Sequence, residues 1–250
     1  SPPARCGTRP TSPCASSPVT RTPFDPPTLC RDDLESGRMR ELYTEAFGGE
    51  GHALDDEALS ESLTTTLAAK PKGAGWWVFA YGSLLWNPLF PFVEARPVTV
   101  RGLHRRFCLY SMASRGTPAA PGLVLALDRG GACTGVAYRL PGPAAIDELH
   151  LLWRREMVTG AYHPKWVNVT TRDKRRMVAL AFTMRHGHSQ YAGDLAVDAQ
   201  AAIIARAAGA FGSSRDYLER TRVALVAHGI VDPYLETLAA KVVALRSADV

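Results

Sequence analysis

Two features of this chain place residue types that do chemistry at spacings the chemistry needs. The first is the run from Trp77 to Pro88, WVFAYGSLLWNP, where an apolar, aromatic and β-branched stretch stops at Tyr81-Gly82-Ser83-Leu84 and resumes at once. It reads as a buried strand entering a ligand-facing turn. Glycine lacks a Cβ and lets backbone approach a bound group, and consecutive N–H groups from Gly82, Ser83 and Leu84 can converge on an oxygen anion. A small acidic molecule suits such a turn. The second feature is Glu156. On a helix advancing 100° per residue, Ile146, Leu149, Leu152, Trp153 and Met157 form one apolar stripe with Glu156 near its middle, while Arg154 and Arg155 point elsewhere. Its neighbours at three and four residues are Leu152, Trp153, Thr159 and Gly160, so no cation comes from the helix itself. A lone carboxylate facing a core is costly. Either it pairs with a distant arginine as a structural residue, or its pKa rises and it becomes a usable general base. The pattern alone leaves both readings open.

The elements that must position these groups follow from periodicity and punctuation. Apolar or alternating runs at 76–81, 98–110, 123–128, 133–140, 165–170 and 176–184, separated by Gly and Pro, predict about six strands. Pro141-Gly142-Pro143 starts the helix that carries Glu156, which runs to about Val158 before Gly160 stops it. Helices are predicted upstream at Asp32–Phe47 and Asp55–Ala69, with Asp55 and Ser60 as caps, and downstream at Leu195–Ala208, Ser213–His228 and Pro233–Leu245. Strands do not alternate regularly with helices, which excludes a doubly wound sheet. The expected class is α+β, a small barrel-like curved β-sheet with packed helices. Residues 1–30 hold eight prolines among Ser, Thr and Arg with little to bury, so they read as a disordered head. Residues 31–70 then form a helical N-terminal extension and 71–250 the main domain.

Composition narrows the classes. With 46% hydrophobic and 21% charged residues the chain is an ordinary globular one, not fibrous or wholly disordered. It has no run of about 18 apolar residues to span a bilayer and no charged-then-apolar secretory start, so the expectation is a cytoplasmic protein without a membrane role. The five cysteines are an odd count, and neither CxxC nor a Cys/His metal spacing occurs, so neither a disulfide framework nor a metal site is expected. Cys108 and Cys133 read as small hydrophobes. A formal charge of +5 favours acidic partners, and a small anionic metabolite satisfies it as well as nucleic acid does. Arg101, Arg105, Arg106 and the 172–176 cluster read as solvated, the last as a hairpin turn, and His186 and His188 as solvated loop residues.

The YGSL turn and the Glu156 helix belong to a longer pattern. Together with RGLHRRFCLY (101–110), RGTPAAPG (115–122), TGVAYRL (134–140), LLWRREMVTGAY (151–162) and YLERTRVALVAHGI (217–230), in this order between residues 55 and 245, the sequence resembles the ChaC family of glutathione-specific γ-glutamylcyclotransferases. YGSL alone is a weak signal; six ordered segments including REM are specific. One departure is Ala80, where family members often carry glycine, and its methyl narrows backbone approach. The resemblance implies a γ-glutamylcyclotransferase-like fold and a reaction without cofactor or metal. In it the α-amino group of the glutamyl moiety attacks its own γ-carbonyl, turning glutathione into 5-oxoproline and cysteinylglycine. It implies Glu156 as general acid/base, Ala80, Tyr81, Gly82, Ser83, Leu84 and Leu85 around the glutamyl group, and Tyr191 in the pocket. Arg115 either pairs with a substrate carboxylate or is a solvated turn residue. Ser83 contributes its main chain rather than its hydroxyl, since the G-x-S-x-G elbow of a serine hydrolase is absent. Two alternatives remain: the same fold acting on other γ-glutamyl amines or amino acids, and a basic, non-catalytic nucleic-acid-binding protein, which leaves Glu156 unexplained.

Overall fold

The computed structural model describes residues 28–49 and 53–248. Most of the proline-rich head, with Cys6 and Cys14, lies outside the described residues. Five strands, β1 (Trp77–Ala80), β2 (Glu94–Ser111), β3 (Gly122–Arg139), β4 (Tyr162–Thr171) and β5 (Arg176–Met184), close a barrel in the order β1-β3-β2-β4-β5. Closure is made by parallel pairing of β5 with β1 at Val78 opposite Leu180 and with β3 at Leu127 opposite Thr183. All four residues of β1 are buried. That is why WVFA reads as a continuous apolar run: a strand covered on both faces has no polar side.

Where the sequence predicts two strands at 123–128 and 133–140, the structure has one. β2 and β3 form an antiparallel hairpin from Glu94 opposite Arg139 to Ser111 opposite Gly122, with a register shift between Arg101 and Leu103. Gly102, Gly130 and Gly131 sit at that shift with φ of 80°, 98° and 61°, a region that side-chain-bearing residues avoid. The glycines are therefore a bulge that bends a long ribbon into a small barrel, and not the turn their type suggests.

The helices are α1 (Arg31–Glu35), α2 (Arg38–Phe47), α3 (Asp56–Ala68), α4 (Ala145–Glu156), α5 (Val197–Arg206), α6 (Ser214–Ala227) and α7 (Pro233–Ala248). The single helix expected at 32–47 is broken at Ser36-Gly37. Asp55 caps α3 by accepting from the Ala58 amide at 2.8 Å, whereas Ser60 lies inside the helix and caps nothing. Phe79, Phe107, Trp153 and Phe182 fill the core at 0–1% exposure, each contributing about 1.5–3 kcal/mol of burial. A second, smaller cluster joins Leu34, Met39 and Tyr43 of α1 and α2 to Ala113 and Val158. The N-terminal helices thus rest on the barrel beside the end of α4. No helix among the described residues is long and apolar enough to cross a membrane.

Candidate active site

Glu156 is the last residue of α4. Leu149, Leu152, Trp153 and Met157 are buried as their spacing predicts, but Ile146, at the start of the expected stripe, is 47% exposed. The Glu156 side chain keeps only 12% of its surface. It faces Tyr81, Gly82, Ser83, Leu84, Leu125, Tyr162, Phe182 and Tyr217 around a void of about 20 Å³. Four of these residues, Ser83, Glu156, Tyr162 and Tyr217, also line an adjoining cavity of about 120 Å³. The acid and the YGSL turn therefore meet across one space.

The expectation that Arg155 points away and that Glu156 lacks a neighbouring cation is corrected. Arg155 is 8% exposed and its Nε lies 3.0 Å from Glu156 Oε1. Adjacent residues leave a helix 100° apart, but at its last turn a long arginine can curl past the end and reach the same space. Its Nη2 donates to Ser83 Oγ at 3.0 Å and its Nη1 to the Asn87 carbonyl. The Ser83 hydroxyl is thereby engaged, beyond the main-chain role expected of it. Burial lifts the Glu156 pKa above the ordinary carboxylate value, and Arg155 works against that rise without cancelling it. The two readings left open by the sequence coexist: the carboxylate has a cationic partner, though adjacent rather than distant, and an elevated pKa at a cavity.

The turn itself is a 3-10 turn at Ser83–Leu85, in which the Leu85 amide bonds the Gly82 carbonyl and the Trp86 and Asn87 amides bond that of Ser83. Amides at the start of such a turn have no partner within it and face whatever lies ahead. A Cβ on Gly82 would stand 2.6 Å from the Tyr217 hydroxyl, so this glycine exists for close approach. Burial, then the nearby Glu156 charge, pushes Tyr217 up to about 12; the same two causes raise Tyr81 well above its ordinary value, and burial followed by Tyr81 and Glu156 raises Tyr162, so all three keep their protons at neutral pH. Tyr81 donates to the Phe182 carbonyl at 2.7 Å and Tyr162 to that of Leu125 at 3.0 Å. Ala80 is fully buried and paired with Val136 in β1, and Leu85 is buried with its carbonyl 3.3 Å from the Tyr138 hydroxyl. Neither lines the cavity; Leu84 lines the void.

Arg105, read as solvated, is 4% exposed and holds the turn from behind: Nε donates to the Tyr81 carbonyl at 2.7 Å, Nη2 to that of Thr134 at 2.7 Å, and Nη1 pairs with Asp232. Arg115 lines the cavity, 5% exposed, with Nη1 3.0 Å from Asp216 Oδ2 and its guanidinium 5.5 Å from the Trp86 ring and 5.7 Å from Tyr217. The solvated reading of Arg115 is corrected as well. Tyr191 is not brought to the cavity: its hydroxyl donates to Asp128 Oδ2 at 3.1 Å and its ring stands edge-on to His186 at 4.7 Å. His186 is no free loop residue, with Nε2 2.5 Å from Asp128 Oδ1, and His188 Nε2 lies 2.9 Å from the Thr159 carbonyl. Among the described residues no group of three or more His, Cys, Asp or Glu side chains could hold a metal ion. Tyr162 and Tyr217 escaped individual notice although each ends or opens a quoted segment, and Tyr43 and Gln190 escaped it because their elements carried no motif.

The small closed barrel that brings a buried carboxylate to a glycine turn has a fold that other proteins share. Residues 76–245 match the family described as ChaC-like protein, and the chain belongs to that family. It is similar to the glutathione-specific γ-glutamylcyclotransferase of Escherichia coli K12, with 42% identity over 195 residues, 77% of this chain and 84% of that protein. Human glutathione-specific γ-glutamylcyclotransferase 1 is 35% identical over 148 residues, 58% of this chain and 67% of its own. A crystal structure of a yeast γ-glutamyl cyclotransferase specific to glutathione matches with a TM-score of 0.60 and 25% identity, covering 69% of this chain and all of the yeast one.

Proposed function

We propose that this chain is a glutathione-specific γ-glutamylcyclotransferase, with Glu156 as its general acid/base. The observation that carries the reading is the single void shared by Glu156 and Tyr81–Leu84. An α-amino group is largely protonated at neutral pH, so a base must remove a proton before it attacks. Glu156, ionised beside Arg155, takes that proton. The amine nitrogen bonds the γ-carbon, the carbonyl oxygen gains negative charge, and the N–H groups of the Gly82–Leu84 turn stabilise it; one well-placed donor of this kind is commonly worth 10²- to 10³-fold in rate. The attacking nitrogen, cationic once bonded, then sheds a second proton. As the tetrahedral centre collapses the bond to the cysteinyl nitrogen breaks, and Glu156 relays to that nitrogen the protons the attacking one has shed, so that cysteinylglycine leaves as an ammonium and 5-oxoproline remains as a neutral lactam. The closure is intramolecular, and holding the glutamyl chain folded against the turn supplies much of the rest. Arg115 supplies positive charge for a substrate carboxylate, oriented by Asp216. Tyr191 is assigned no substrate contact, because Asp128 engages its hydroxyl. The free, buried thiols of Cys108 and Cys133 suit the reducing cytoplasm.

The test is Glu156→Gln. It keeps the shape of the side chain, so the thermal midpoint should stay near that of the parent while kcat for 5-oxoproline release from glutathione falls by about 10²-fold or more. Turnover at the parent rate sinks the assignment. Release of 5-oxoproline from γ-glutamyl-alanine or γ-glutamyl-lysine, with glutathione inert, moves the substrate to another γ-glutamyl compound.

A further inference from the structure

The charge balance of the cavity turns on a residue outside it. Among the described residues the charged side chains that line the cavity are Arg115, Arg155 and Glu156. Arg155 and Glu156 neutralise one another at 3.0 Å, which leaves Arg115 to attract an anion. Its guanidinium is anchored through one nitrogen: Nη1 donates to Asp216 Oδ2 at 3.0 Å and to the Ser213 carbonyl at 3.3 Å. Nε and Nη2 donate to no group among the described residues. Of the polar side-chain atoms sealed from solvent there, Gln190 Oε1 alone lacks a partner, so these two nitrogens keep accessible surface on a residue that lines the cavity. The anchor has a drawback. A guanidinium and a carboxylate 3.0 Å apart present little net charge to a third group, so Asp216 holds Arg115 in place and cancels its attraction at once.

Arg220 removes the cancellation. It lies one helical turn after Asp216 on α6, with Nε 3.0 Å from Oδ1 and 3.0 Å from Oδ2 of that carboxylate. Asp216 also stands in the first turn of α6, where a helix favours negative charge. Arg115 and Arg220 lie 5.5 and 5.4 Å from the Trp86 ring. Burial lowers the Arg115 pKa, Asp216 opposes that, and the charge of Arg220 adds to it, so the two guanidinium groups sense each other. The other charges of α6 are engaged or turned away: Arg222 pairs with Glu219 and Glu236, and Arg215 lines the groove between α6 and α7. We propose that Arg220 is a positioning residue for substrate binding: it neutralises Asp216 from outside the cavity, leaves Arg115 its positive charge, and so sets the affinity for γ-glutamyl substrates that carry a carboxylate. This rests on the cyclotransferase reading and deepens it. Arg220 does not line the cavity, and it takes no part in bond making or breaking.

Steady-state kinetics of 5-oxoproline release from glutathione by the full chain test this. Arg220→Gln should raise KM about two- to fivefold at low salt, the range of a half-exposed charge pair, with kcat within about twofold, the signature of lost uniform binding. Arg220→Lys should keep KM near the parent value. Adding Asp216→Asn to Arg220→Gln should bring KM back, because the amide oxygen still accepts from Arg115 Nη1 but carries no charge to cancel it. The proposal fails if Arg220→Gln leaves KM unchanged, if kcat falls while KM holds, if Arg220→Lys is as impaired as Arg220→Gln, or if the double variant is no better than Arg220→Gln. A parent enzyme that releases no 5-oxoproline from glutathione instead defeats the cyclotransferase reading on which the proposal rests.

Discussion

Arg155→Met tests the electrostatics of the site most directly. Methionine keeps an unbranched apolar stem but removes the guanidinium whose Nε is 3.0 Å from Glu156 Oε1, and frees Ser83 Oγ and the Asn87 carbonyl. Two influences act on Glu156: burial raises its pKa and Arg155 lowers it, burial being the larger. An opposite charge at such range holds a carboxyl down, so its loss should lift Glu156 further above the ordinary carboxylate value. The sign follows from the mechanism. Attack needs the carboxylate, so kcat/KM falls as pH drops through this pKa, and in the variant the fall begins at higher pH. Activity lost on the acidic side should return as the buffer is made more alkaline. Arg155→Lys, which keeps the charge without the fork, should shift the limb less. The assay is 5-oxoproline release from glutathione across the pH range, with thermal midpoints alongside, because unpairing a buried ion costs about 3–5 kcal/mol of stability. A plateau that drops with the acidic limb unmoved would show that Arg155 acts by position alone and would refute the argument.

Two further outcomes are expected. In Gly82→Ala the new Cβ stands 2.6 Å from the Tyr217 hydroxyl and 3.5 Å from Leu125 Cβ, so kcat/KM should fall about 10- to 100-fold and Tyr217→Phe, by deleting the clashing oxygen, should restore part of it. If the double variant is no better than Gly82→Ala, the clash is not the cause. Burial pushes the Asp128 pKa up, but hydrogen bonds from His186, the Arg129 amide and Tyr191 outweigh it and hold the group below its ordinary value. A depressed carboxyl stabilises the fold above its unfolded pKa, about 3.9, and that stability is lost as pH falls through the lower folded value. Asp128→Asn should therefore lower the thermal midpoint at neutral pH by an amount that shrinks below about pH 4. An equal gap at both ends of the range excludes charge as its origin.

What the sequence disclosed and what it hid divide along physical lines. The strands at 176–184 and 77–80 were legible because apolar runs report local burial, and the inward direction of Glu156 was legible because a helix has a fixed period. Barrel closure was not, since Val78 opposite Leu180 joins residues about a hundred positions apart. Arg155 was hidden because helical projection assumes radial side chains, which fails at the last turn. Arg105 was half visible: beyond the glycine bulge it shares strand parity with buried Phe107, whereas Arg106 faces out to Asp194. Its basic neighbours masked that parity. At 190 and 191 a single position decides the outcome. The bridge from Leu109 to Tyr191 sets the loop so that Tyr191 turns to Asp128 and Gln190 to the cavity, and no local pattern encodes that register.

The misread arginines share a purpose that their energetics explain. Arg105, Arg115 and Arg155 are 4%, 5% and 8% exposed, each beside a carboxylate. Buried ion pairs are poor sources of stability, because desolvation offsets most of the attraction. Their value here lies in geometry. Arg105 ties the Tyr81 carbonyl at the head of the turn to Thr134 of β3 and Asp232, just before α7. Arg155 ties the Ser83 hydroxyl and Asn87 carbonyl to α4 and Glu156. Arg115 lies over Trp86 and Tyr217, with Asp216 of α6 as its anchor. A four-residue turn cannot hold its own amides in a fixed arrangement, and apolar packing resists sliding only weakly. Directional, charged contacts from Arg105 and Arg155, on two separate elements, do fix it, while Arg115 braces Trp86 and Tyr217 beside it, which is why positive charge that looked like surface in the sequence is spent inside the molecule around one glycine.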